Sequence, residues 1–139
     1  MKRIVRLSFI GMISGVILMS LLKAVQLLTG SQAYVLLFNT DYVPLLHDWG
    51  PENIGGIAFH FVFCIASVVA LFYLLIIIRA ERSLTAYFLI YTAGSAILYS
   101  LTGLTERPPD PGNVTSWGYW TAAHAVYAVV VGWLVKTRA

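Results

Sequence analysis

The sequence predicts an all-α membrane protein: a bundle of four transmembrane helices with both termini on the cytoplasmic side. Three observations carry this expectation. Apolar residues make up 59% of the chain and charged residues 11%, against about a quarter charged in soluble domains, and the mean hydropathy is +0.80. Four apolar runs are each long enough, at ~1.5 Å rise per residue, to cross a hydrocarbon core of ~30 Å. The basic residues collect at one set of helix ends. This composition disfavours a water-soluble fold, and the net charge of +3 comes from membrane-edge residues, not from a nucleic-acid surface. Residues 1–139 read as a single integral membrane domain without internal repeats. Cys64 is the only cysteine, so no intrachain disulfide and no cysteine-based metal motif is possible.

The first run, residues 7–28, follows Lys2, Arg3 and Arg6. Its length favours a retained helix over a cleaved signal peptide, although Ser31-Gln32-Ala33 resembles a cleavage site. Gly11 and Gly15 have the spacing that lets a second helix approach closely in lipid. Lys23 sits near the far end, where its ammonium group can snorkel to the interface. Ser8, Gly11, Gly15, Met19, Lys23 and Gln26 nevertheless share about a third of the helix circumference, which directs Lys23 inward.

Residues 29–53 are too apolar for a solvated loop and too broken for a span. Pro44 and Trp49-Gly50-Pro51 interrupt them, so an interfacial or re-entrant external segment is expected. Asp41, His47, Asp48 and Glu52 form its charged part, and Tyr34, Tyr42 and Trp49 suit an interface belt.

The second run, residues 54–78, carries one polar stripe at steps of three and four: Asn53, Gly56, His60, Cys64 and Ser67. Arg79 to Ser83 make a tight turn, so the second and third helices should pack as an antiparallel hairpin. The third run, residues 84–104, has a hydroxyl stripe of Tyr91, Ser95, Tyr99 and Thr102. Residues 105–116 form a proline-stiffened external loop with Glu106, Arg107 and Asp110. Within it, Asn113-Val114-Thr115 matches a glycosylation acceptor. The fourth run, residues 117–135, opens on an aromatic belt of Trp117, Tyr119 and Trp120, and Thr121, His124 and Ala128 share one face.

Charge sets the expected orientation. Lys2, Arg3, Arg6, Arg79, Arg82, Lys136 and Arg138 fall on one side with Glu81. Asp41, Asp48, Glu52, Glu106 and Asp110 fall on the other with Arg107. The positive-inside rule then places both termini in the cytoplasm.

In that topology Lys23, His60 and His124 each lie ~8–10 Å inside the external interface, and Tyr99 and Thr102 join them from the third helix. Ionisable groups at such depth are costly unless paired, so Lys23, His60, Tyr99, Thr102 and His124 are expected to form an outward-facing polar pocket. The alternative is a purely structural network in which hydroxyls and carbonyls satisfy the imidazoles.

Several chemistries compete for such a pocket. His60 and His124 could ligate a haem b axially, while two histidines alone make a weak divalent-metal site. No Asp or Glu lies within the helices and no Ser-His-Asp pattern occurs, so no catalytic residue is assigned. His47, Asp41 and Asp48 leave lipid chemistry at the outer leaflet open. Only Ser14, Ser67, Tyr91 and Ser95 could line an inner half-channel, which favours a binding or sensing pocket over a conduit. The expected function is therefore a proton-responsive or solute-binding membrane protein. The alternatives are a haem-b electron-transfer subunit and an accessory subunit of a membrane complex. No cofactor is predicted apart from the haem alternative. The expected partners are the bilayer and, through lipid-facing surface, a second copy or other membrane subunits, with no nucleic acid.

The order of motifs resembles the YagU-type family of small bacterial inner-membrane proteins. The shared features are GMISGVILMSLLK ending at Lys23, GGIAFHFVF around His60, GLTERPPDPG over residues 103–112, and WTAAHAVY around His124. After Lys23 the family pattern continues into an acidic residue and a Pro/Arg-rich stretch, whereas this chain has AVQLLTGSQAY. The resemblance implies the bacterial inner membrane as location and groups Lys23, His60 and His124. It implies no reaction.

Overall fold

The computed structural model describes residues 2–41, 45 and 54–139, and every regular element among them is helical. In chain order these are α1 (Lys2–Thr29), α2 (Ala33–Leu36), α3 (Ile54–Ile77), α4 (Leu84–Leu98) continued by a 3₁₀ segment (Tyr99–Leu104), and α5 (Val114–Arg138). Four of these, counting α4 with its 3₁₀ extension as Leu84–Leu104, are long and apolar enough to cross a membrane. Their number and order are as expected from the sequence. Tyr42, Pro44, His47, Asp48, Trp49-Gly50-Pro51, Glu52 and Asn53 lie outside the described residues.

The helix ends follow from local chemistry. α1 stops at Gly30, whose N–H closes the last turn on the Gln26 carbonyl at 2.9 Å and whose φ of 74° then turns the chain out of the helix; glycine takes this left-handed conformation without a Cβ penalty. α3 ends the same way, but on a residue that bears a side chain. Arg79 has φ 56°, its N–H donates to Ile76 O at 3.0 Å, and Ala80 N–H donates to Leu75 O at 2.9 Å. At the start of α4, Ser83 Oγ accepts from Ala86 N–H at 3.2 Å. Asn113 Oδ1 accepts from Ser116 N–H at 2.9 Å, so the Asn-Val-Thr motif is the N-cap of α5. This cap starts α5 at Val114, earlier than the aromatic belt implied.

Packing gives a ring order that differs from chain order. α1 lies against both α3 and α5, and α4 lies against α5. Adjacent α3 and α4 have almost no mutual packing. The tight turn expected between the second and third helices is there, but the two helices it joins make little contact along their length. Small residues explain the choice of neighbours, because helices in lipid associate where backbones can approach closely. A Cβ on Gly11 would stand 2.7 Å from Ile65 Cα of α3, and one on Gly132 would stand 3.3 Å from Leu84 Cα of α4. Where α3 faces α4 the side chains include Phe59, Phe63, Ile90 and Leu98, which line a cavity between the helices.

The chain after α1 folds against the end of the bundle. Leu36, Leu37, Phe38, Asn39 and Thr40 are all buried. Asn39 Nδ2 donates to Thr105 Oγ1 at 3.0 Å, Arg107 Nε meets Asp41 Oδ2 at 2.6 Å, and the Ser31 and Ser116 hydroxyls pair at 2.9 Å. These bonds tie the segment to the proline-rich loop and to α5, making a plug at the end of the bundle where α1 finishes.

Candidate functional site

The buried stripe of α3 contains Gly56, His60 and Cys64, in agreement with the helical spacing. His60 is 4% exposed, and its Nε2 lies 3.1 Å from the carbonyl oxygen of Gly15 on α1. A carbonyl only accepts, so Nε2 carries the hydrogen, and in the neutral ring Nδ1 holds the lone pair. The bare Gly15 backbone makes this approach possible: a Cβ there would lie 3.2 Å from Cys64 Sγ. Cys64 Sγ is 3.9 Å from His60 Nδ1, and Phe38 of the plug meets the His60 ring edge-on at a centroid distance of 5.8 Å.

His124 is arranged in the complementary way. Its Nδ1 donates to the Trp120 carbonyl of its own helix at 2.8 Å, which leaves Nε2 as the acceptor nitrogen of the neutral ring. The Trp120 ring lies against His124, with centroids 4.2 Å apart. Trp120 Nε1 in turn donates to Ser95 O at 2.8 Å, and Trp117 Nε1 donates to Ala96 O at 3.1 Å. Both carbonyls sit where α4 tightens into its 3₁₀ segment, the place where α-helical hydrogen bonding gives way to poorer geometry.

These groups surround a cavity of about 500 Å³, within the ~300–1,000 Å³ range of small-molecule sites. Leu18 of α1 and Leu36 and Leu37 of the plug close its inner and end walls. α3 supplies Phe59, His60, Phe63, Cys64 and Ser67; α4 and its extension supply Ile90, Tyr91, Gly94, Ser95, Leu98 and Leu101; α5 supplies Trp120, His124 and Tyr127. Phe63, Ile90 and Leu98 are also exposed on the outside of the bundle. The cavity therefore opens sideways, through the gap between α3 and α4. Tyr91 bridges that gap by donating to Ser67 Oγ at 3.4 Å. Tyr127 is 2% exposed; its hydroxyl lies beside Ser67 and Cys64 but makes no hydrogen bond.

Of the five residues expected in one pocket, His60 and His124 line this cavity and Lys23, Tyr99 and Thr102 do not. Lys23 is exposed. Its Nζ donates to Gln26 Oε1 at 2.8 Å and stands 4.8 Å from the centre of the Tyr34 ring, a cation–π contact; burial raises the Tyr34 phenol above its ordinary pKa range. The buried face of α1 includes Gly11 and Gly15 of the expected stripe together with Leu7, Ser14, Leu18 and Leu22, so the stripe faces inward over its first half, while Lys23 near the helix end lies exposed. Tyr99 is buried, but its hydroxyl donates to Asp110 O at 3.1 Å and Asn113 O at 3.3 Å. Thr102 Oγ1 donates to Tyr99 O at 2.8 Å. The Tyr99 hydroxyl holds the loop and the Thr102 hydroxyl bonds back within its own 3₁₀ segment, and neither residue lines the cavity. Asp41 and Arg107 pair with each other, Asp110 Oδ1 accepts from Gly112 N–H at 2.7 Å, and Glu106 is exposed. His47, Asp48 and Glu52 fall outside the described residues.

Two wall residues escaped the sequence reading. Trp120 was assigned to the aromatic belt, although it lies one helical turn from His124 on the same face. Tyr127 follows His124 at helical spacing and could have been found by extending that face. The plug leucines had no such signal. Among the described residues no group of three or more His, Cys, Asp or Glu side chains converges. Comparison with protein-family models, curated proteins and solved structures returns no match for this chain.

Proposed function

We propose that this is a multi-pass membrane protein that binds an amphipathic small molecule delivered laterally from the bilayer. The observation that carries the reading is the cavity of about 500 Å³ opening between α3 and α4, with exposed apolar side chains at its rim and imidazole and phenol groups inside. A lipid-soluble molecule can seat its tail at the rim without leaving the apolar phase and place its head on the polar inner wall. This sharpens the solute-binding expectation and changes its direction, from an outward-facing pocket to a side opening. In the same proposal both termini are cytoplasmic, the plug is the external end, and the location is the bacterial inner membrane, as kinship with the YagU-type family would imply.

Haem b fits the arrangement less well. Bis-imidazole ligation needs both rings to turn a lone pair to one iron, and His60 commits Nε2 to Gly15 O while Nδ1 sits behind Cys64. A Soret band in protein purified from haem-replete cells would reverse this preference.

Trp120 provides the test. In nanodiscs, a brominated alkyl probe should quench its fluorescence saturably, measured as the difference from Trp120→Phe. Gly94 lines the cavity and a Cβ there meets nothing within 4 Å, so Gly94→Leu should fill the cavity without disturbing the helices and abolish the saturable component. Linear quenching, identical in both proteins, would refute the groove. Cysteines introduced at Gly112 and Thr137 should label from opposite sides of the membrane; labelling from the same side would refute the four-span topology.

A further inference from the structure

The hydrogen-bonding state of the cavity wall specifies the head group, given the lateral groove proposed above. His124 Nδ1–H is consumed by Trp120 O at 2.8 Å, and His60 Nε2–H is consumed by Gly15 O at 3.1 Å. Ser67 Oγ donates to Cys64 O at 3.0 Å, Ser95 Oγ donates to Thr92 O at 2.9 Å, and Trp120 Nε1 donates to Ser95 O. These donors are therefore spent on the protein itself; the Tyr127 hydroxyl, buried beside Ser67 and Cys64, is the exception, with no partner of its own. What the neutral imidazoles still offer is lone pairs, and His124 Nε2 has no protein partner among the described residues. Among the described residues no Lys, Arg, Asp or Glu lines the cavity. An anionic head would enter without a countercharge, which is costly in an apolar site.

We infer that the groove selects a neutral, apolar molecule whose head is a hydroxyl donor, a long-chain or isoprenoid alcohol or phenol, with that O–H donating to His124 Nε2. Phospholipid and fatty-acid anions are disfavoured by the lack of a cation among the described lining residues, and ethers and esters by having no O–H to give to His124 Nε2. The apolar rim formed by Phe63, Ile90 and Leu98 takes the tail.

The probes are farnesol, farnesyl methyl ether and palmitate, each titrated into protein in nanodiscs and read by displacement of the brominated alkyl probe from Trp120. Farnesol should displace it about tenfold more tightly than the ether, a difference of about 1.4 kcal/mol, and palmitate at neutral pH should be weaker than both. His124→Leu should bring farnesol down to the level of the ether. Equal displacement by alcohol and ether, preference for palmitate, or a preference for the alcohol that survives His124→Leu would each overturn the head-group assignment while leaving the groove in place. Absence of saturable binding by the brominated probe itself would instead remove the groove. The comparison of alcohol with ether uses the unaltered protein, so it decides the matter even where His124→Leu fails to fold.

Discussion

Replacing Gly11 by alanine puts one methyl group into a helix contact with no room for it. The new Cβ would lie 2.7 Å from Ile65 Cα, 3.0 Å from Cys64 O and 3.1 Å from Ile65 N. All three are backbone atoms of α3, so no rotamer change can relieve the clash. Ordinary carbon contacts stand at ~3.5–4.0 Å, which requires α1 and α3 to separate by roughly 1 Å. Overpacking of this kind costs ~1–3 kcal/mol, offset by the ~0.5–1 kcal/mol that alanine gains over glycine within a helix. The net expectation is a loss of roughly 0.5–2 kcal/mol, and separation also stretches the 3.1 Å bond from His60 to Gly15 O. Gly118→Ala is the matched control, because a Cβ there meets nothing within 4 Å; it should be neutral or slightly stabilising. Reversible unfolding in mixed micelles, followed by circular dichroism, measures both variants. Gly11→Ala as stable as Gly118→Ala would refute the idea that close backbone approach sets the α1–α3 pairing.

Three further substitutions test the helix ends and the α4–α5 contact, all by the same unfolding measurement. Arg79→Gly should stabilise by about 0.5–1 kcal/mol, since glycine removes the left-handed penalty at φ 56°; a loss would mean the Arg79 side chain contributes more than its backbone costs. Ser83→Ala should cost ~1 kcal/mol as a lost N-cap of α4, and an unchanged midpoint would show that the bond to Ala86 N–H is worth nothing in the folded protein. Trp120→Phe removes the donor to Ser95 O and should cost at least ~1 kcal/mol, loosening α4 from α5. Full retention of stability would show that indole packing, not its N–H, joins these helices.

Much of this protein is written in local sequence. Hydropathy along the chain determines four long apolar helices, because the cost of putting backbone or charge into hydrocarbon is felt residue by residue. The caps at Gly30, Ser83 and Asn113 are equally local, and so is the stripe that turns His60 and Cys64 to one side of α3. Neighbour choice is different in kind. Lipid supplies no hydrophobic force between helices, so partners are selected by whether two particular surfaces fit, and chain adjacency is a poor guide. Gly11 against Ile65 and Gly132 against Leu84 join α1 to α3 and α5 to α4, while α3 and α4 have little mutual contact. That pairing leaves the cavity between them and brings Tyr91, Trp120 and Tyr127 to the two histidines, with Lys23 left exposed. The extent of each helix was legible from the sequence; which helices pair, and so what faces what, was settled only by packing.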